Sequence, residues 1–181
     1  MQQERLMAEL ANVARLFEST LAWLKQNYSQ YHFFAERDIV WTLQLRLRSQ
    51  IEDSRLPLRI FNDYPILPGK RRSVCTDLAL LDETGTVLIA AEFKYEPSHQ
   101  RSGKDIWPTK LDPSVVFWGT DGVGKDVLRV HEFVADGAAK MAYSIFVDEG
   151  GYFYNRSAHP NSEWLEWENG VKVLFSCAQK L

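Results

Sequence analysis

The chain has 181 residues, 45% hydrophobic, 25% charged and 13% aromatic, an ordinary globular composition that excludes a disordered chain and suits one domain with a sizeable core. With 21 Lys and Arg against 24 Asp and Glu, the formal charge is −3. That excludes a generally basic nucleic-acid binder but leaves room for a local basic channel.

Two cysteines far apart, Cys75 and Cys177, with no Cys-x-x-Cys, argue against a disulfide framework or a Cys-rich zinc site. The opening residues Met1-Gln2-Gln3-Glu4-Arg5 lack the positive-then-apolar leader pattern. The longest aliphatic run, residues 87–91, falls far short of the roughly 18 residues of a membrane span. The expectation is a soluble, cytoplasmic protein with no membrane partner.

In chain order, residues 3–27 predict a helix, because Leu6, Leu10, Val13, Phe17, Leu21 and Leu24 recur at spacings of three and four. Its stripe suits intramolecular core; a homodimer contact is the other use open to it. A second helix is expected over 35–50, with Val40, Leu43 and Leu47 on one face and Ile39 beside it. Ser54-Arg55-Leu56-Pro57 breaks that pattern. Strands are expected over 58–66, 74–81 and 86–94. A basic turn joins the first two, and Asp82-Glu83-Thr84-Gly85 makes a hairpin between the second and third. A polar loop spans 97–112, a short strand 115–118, a helix 126–140 and a strand 142–147. The tail from 150 is rich in aromatics and ends in a strand over 171–175. This is a mixed α/β arrangement, a hairpin followed by a helical crossover. It divides into an N-terminal helical extension (1–30), a core (33–148) and a C-terminal extension (150–181) within a single domain.

One constellation carries chemistry. Asp77 begins the second strand, and Glu92-Phe93-Lys94 ends the third. Residues two apart on a strand share a face, so Glu92 and Lys94 project together. If the two strands pair around residues 82–85, a bulge or small offset brings Asp77 level with Glu92. Two carboxylates and an ammonium at one sheet edge suit metal-assisted hydrolysis. Mg²⁺ (or Mn²⁺) takes carboxylate and phosphate oxygens and lowers the pKa of water, while a lysine orients that water or stabilises charge. A cross-strand ion pair on a solvated face would need strands less apolar than these.

Asp77 followed by Glu92-x-Lys94 on the next strand, with an acidic helix in front, resembles the PD-(D/E)XK nuclease superfamily. The resemblance covers residues 33–148 and implies a restriction-endonuclease-like core. That core is a mixed β-sheet flanked by helices in α-β-β-β-α-β order, here with an additional N-terminal helix. It also implies a metal-dependent nuclease in which Asp77, Glu92 and Lys94 are catalytic and an acidic residue of the first core helix joins the metal site. Glu36 is the candidate, because it leads Val40, Leu43 and Leu47 at spacings of four, seven and eleven. Asp38 is the alternative, about 200° away around the helix. Thr76 stands in place of the motif's proline, which the family often lacks.

Lys70, Arg71 and Arg72 precede Asp77, and Arg101, Lys104 and Lys110 follow Lys94, where a nucleic-acid backbone would need cations. The expected substrate is DNA ahead of RNA. A nuclease-fold binding or assembly subunit without turnover is the second reading. Residues 119–126, Gly-Thr-Asp-Gly-Val-Gly-Lys-Asp, nearly match a Walker A loop. Asp126 replaces the required hydroxyl, so a glycine-rich turn with Asp126 capping a helix is expected instead, and a P-loop-like nucleotide-binding protein is the third reading. The tail aromatics Tyr152, Phe153, Tyr154, Trp164 and Trp167 are expected as packing rather than base-stacking residues.

Overall fold

A computed structural model describes residues 2–67, 74–100, 117 and 122–179. It is an α/β structure with a mixed six-stranded sheet flanked by helices. The helices are α1 (Gln2–Asn27), α2 (Glu36–Asp53) and α3 (Val123–Ala135). The strands are β1 (Arg59–Leu67), β2 (Val74–Leu81), β3 (Val87–Glu96), β4 (Met141–Asp148), β5 (Glu163–Glu166) and β6 (Lys172–Gln179). Their order across the sheet is β1-β2-β3-β4-β6-β5. Among the described strands only β3 and β4 run parallel; the other neighbouring pairs are antiparallel. A parallel pair needs a crossover, and α3 supplies it.

The β2–β3 turn forms where its residues require it. Gly85 sits at φ +91°, a conformation that costs glycine little. Asp82 Oδ1 accepts from the Thr86 amide at 2.8 Å.

The central strands are apolar on both faces because both are covered. Leu78, Leu80, Ile89, Ala91 and Phe93 pack with Phe17, Leu24, Leu43 and Leu47 of α1 and α2. Ala79, Leu81, Ala90 and Ala142 pack with Val130, Phe133 and Val134 of α3. All eight residues of β4 are buried, as expected for a strand between two helical layers. In α2, Ile39, Val40, Leu43, Leu47 and Ile51 form the buried stripe. Thr20 Oγ1 donates to Gln50 Oε1 at 2.7 Å, pinning α1 to α2.

Several elements differ from the sequence expectation. β6 runs from Lys172 to Gln179 rather than ending at 175, because its antiparallel pairing with β4 continues to Met141↔Gln179, and α2 ends at Asp53. β3 continues to Glu96, because parallel pairing with β4 runs on to Glu96↔Asp148. α3 begins at Val123 and ends at Ala135, where Gly137 takes φ +73°. β5 is a strand within the segment expected only as aromatic tail; it pairs with β6 from Glu163↔Phe175 to Glu166↔Lys172. Of the short strand expected over 115–118, only Phe117 is described; it is a buried turn residue stacked with Phe153 and Trp164. Phe153 and Trp167 are buried, whereas Tyr152 and Tyr154 are exposed. Both cysteines are free and exposed. No helix among the described residues is long and apolar enough to cross a membrane.

Candidate functional site

The site forms where β2 and β3 part. Their ladder pairs Leu80↔Ile89, Ala79↔Ala90 and Leu78↔Ala91, with a register shift between Leu80 and Leu81. Continuing that register sets Asp77 level with Glu92. Beyond Leu78 side chains replace the ladder. Thr76 Oγ1 donates to the Ala91 carbonyl at 2.9 Å, and the Phe93 amide donates to Asp77 Oδ2 at 2.6 Å. Asp77 is thus fixed by one oxygen to the backbone between Glu92 and Lys94.

Strand alternation puts Asp77, Glu92 and Lys94 on the α3 side of the sheet. Glu36, the first residue of α2, reaches them from the other layer, its carboxylate 3.7 Å from Lys94 Nζ. Asp38 does different work. Its Oδ2 accepts from the Phe34 and Ala35 amides at 2.9 and 2.8 Å, holding the entry to α2. Asp38→Ala is expected to cost about 1 kcal/mol of stability without changing divalent-cation affinity. Denaturant unfolding and calorimetric cation titration of that variant check both halves.

Two residues of α3 complete the cluster, and sequence reasoning missed both roles. Asp126, expected as a helix cap, is not the cap; Gly122 takes that position. Instead Asp126 is buried, with Oδ2 3.8 Å from Lys94 Nζ. Arg129, one turn on, donates from a guanidinium nitrogen to Glu92 Oε2 at 3.1 Å. A signal existed: Val123, Asp126, Val130 and Phe133 recur at spacings of three, four and three and are all buried. A carboxylate on the apolar stripe of an amphipathic helix is the informative anomaly.

Among the described residues the site brings together four carboxylates, Glu36, Asp77, Glu92 and Asp126, and two cations that pair with them, Lys94 and Arg129, while the charge of Lys125 is also felt at Asp126. Burial pushes the Glu92 carboxyl up to about 8, with Asp77 and Asp126 adding to the rise and Arg129 opposing it. Burial pushes Glu36 to about 7, against the pull of Lys94, and Asp77 to about 6, against the Phe93 hydrogen bond. Burial likewise raises Asp126. Desolvation alone would lower the Lys94 ammonium, but the surrounding carboxylates, Glu36 foremost, outweigh it and hold it above its ordinary value. Lys94 is therefore a cation here, suited to stabilising charge and orienting a water rather than accepting a proton.

The donor set fits a divalent cation in chemistry and charge. It consists of hard oxygens with negative charge in excess. Glu92 Oε1 and Asp126 Oδ2 are buried with no hydrogen-bond partner among the described residues. Among the described residues, no three Asp, Glu, His or Cys side chains yet stand together as a ready coordination shell; the Lys94 ammonium lies between Glu36 and Asp126.

The basic residues Lys70, Arg71, Arg72, Arg101, Lys104 and Lys110 lie outside the described residues, as do residues 119–121 of the Walker-like run. His99 pairs with Glu96 at 2.7 Å and stacks on Tyr152, apart from the carboxylate cluster. No protein-family model, curated protein or solved structure matches the chain.

Proposed function

We propose that the protein is a divalent-metal-dependent nuclease of the PD-(D/E)XK, restriction-endonuclease-like type, hydrolysing phosphodiester bonds in nucleic acid, DNA ahead of RNA. The observation that carries this reading is the meeting of Asp77, Glu92 and Lys94 at the β2–β3 fork, with Glu36 closing in from α2. The three antiparallel strands β1–β3, followed by a helical crossover to a parallel β4, add support, because the resemblance implies such a core.

In this reading Glu36, Asp77 and Glu92 hold Mg²⁺ or Mn²⁺. When bound, the cation supplies charge neutralisation at the phosphodiester and activation of a water. Asp77 is held by the Phe93 amide, so one of its oxygens keeps a fixed position. Lys94 remains protonated and offers its ammonium to the charge that builds on the phosphoryl oxygens. Lys70, Arg71, Arg72, Arg101 and Lys104 are assigned to the nucleic-acid backbone. Because these contacts are to phosphates, binding should weaken steeply with salt.

The test is incubation of the protein with supercoiled plasmid and with single- and double-stranded DNA and RNA oligonucleotides at low ionic strength. Cleavage is expected with Mn²⁺ or Mg²⁺ and not with EDTA. A second reading, a binding or assembly subunit without turnover, draws on Lys94 and Arg129 already pairing the site's carboxylates. Oligonucleotide binding without cleavage under every condition would favour it.

A further inference from the structure

We infer that Asp126 of the crossover helix is a fourth ligand for the divalent cation, so that the site is shared between the strand fork and α3. The inference rests on the nuclease reading and adds a residue outside its motif.

Three observations carry it. First, Asp126 is only 4% exposed, and its Oδ2 has no hydrogen-bond partner among the described residues. An ionised carboxylate can only accept, and buried acceptors are rarely left unpaired. The Lys94 ammonium, at 3.8 Å, is at ion-pair range but beyond a hydrogen bond. A salt bridge formed only for structure would be expected to satisfy that oxygen.

Second, Glu92 repeats the pattern. It is 3% exposed, with Arg129 on Oε2 and no hydrogen-bond partner among the described residues on Oε1. The two unsatisfied oxygens come from β3 and from the first turns of α3, elements interlocked by Asp126–Lys94 and Arg129–Glu92. Third, the Lys94 ammonium is shared by Glu36 and Asp126 at 3.7 and 3.8 Å. Asp126 therefore faces the same group as the α2 carboxylate assigned to the cation. The N-terminal turn of α3 also favours a negative charge at this position.

The test uses the full chain and Mn²⁺ alone, titrated calorimetrically at pH 8. Asp126→Asn is expected to weaken Mn²⁺ binding about tenfold or more, as Asp77→Asn does, with the circular dichroism of the native fold. Asp63→Asn is the control for charge alone. Asp63 is an exposed residue of β1 whose charge is felt at Asp77, and its loss should change Mn²⁺ affinity less than about twofold. If Asp126→Asn does not fold, Asp126→Ser takes its place. An Asp126 variant that matches Asp63→Asn, while Asp77→Asn loses binding, overturns the inference and leaves the nuclease reading standing. A wild-type chain that takes no Mn²⁺ overturns both.

Discussion

Glu92→Gln is expected to stabilise the metal-free protein at pH 8 and to abolish cleavage. Glu92, Glu36 and Asp77 are all held above their ordinary values, at about 8, 7 and 6. A carboxyl with a raised folded-state pKa binds its proton more tightly in the native state than in the unfolded chain. Its contribution is fully present below the unfolded value near 4 and is lost as pH rises through the folded value. All three groups act in the same direction, so the metal-free protein should lose stability steadily between about pH 4 and pH 8. Glutamine keeps the shape of Glu92 and can still accept from Arg129, but it carries no charge to desolvate. A tenfold difference in proton affinity between the folded and unfolded chain corresponds to about 1.4 kcal/mol. Because the neighbouring carboxyls relax together, a gain of roughly 1–3 kcal/mol at pH 8 is expected, a rise of about 5 °C in melting temperature. The gain should vanish near pH 4. Thermal melts across that range, with and without Mn²⁺, check it. In the wild type the cation should reverse the loss at high pH, and in Glu92→Gln it should do so far less. A variant that melts lower than wild type at pH 8 would show that the Glu92 charge stabilises the fold and would remove the electrostatic argument for a cation site.

The same physics explains what the sequence could reveal. The β2–β3 hairpin is readable because its signals are local: a four-residue turn ending in Gly85, flanked by apolar runs. Asp77 and Glu92 are placed by that one turn, and the bulge that brings them level lies close to it, between Leu80 and Leu81. Glu36 is also accessible, being fixed by the stripe of its own helix, whereas Asp38 faces the helix entry and satisfies backbone donors there. Asp126 and Arg129 are not readable in the same way. They reach β3 through the crossover to a parallel neighbour, and spacing alone does not say which strand a crossover helix will cover. β5 is hidden for a related reason. Its sequence Glu163-Trp164-Leu165-Glu166 has little strand character of its own, and it is a strand because β6 offers a free edge. The extension of β3 to Glu96 likewise depends on the length of β4.

Lys94→Ala should reduce cleavage by about 10²–10⁴-fold, the range expected when a positioned charge-stabilising group is removed, and should have the opposite signature in stability. Lys94 ion-pairs with both Glu36 and Asp126, and its own ammonium is held above its ordinary value by those carboxylates. Removing it leaves the negative groups facing one another with, among the described residues, Arg129 at Glu92 and the more weakly felt Lys125 at Asp126 to balance them. The variant should therefore be destabilised at pH 8 and should recover toward wild-type stability as pH falls to about 5 and the carboxyls take up protons. Circular dichroism at pH 6 is expected to show the native fold, so lost cleavage there reports chemistry rather than unfolding. Mn²⁺ affinity should rise or stay the same, because the cation no longer competes with an ammonium for the same oxygens. That outcome separates Lys94 from the ligands. Loss of Glu36, Asp77 or Glu92 should weaken both Mn²⁺ binding and cleavage, whereas loss of Lys94 should leave the cation bound and cleavage absent. Full cleavage by Lys94→Ala would refute the role given to the lysine. Weakened Mn²⁺ binding in a folded Lys94→Ala would instead mean that the ammonium organises the carboxylates for the cation rather than competing with it.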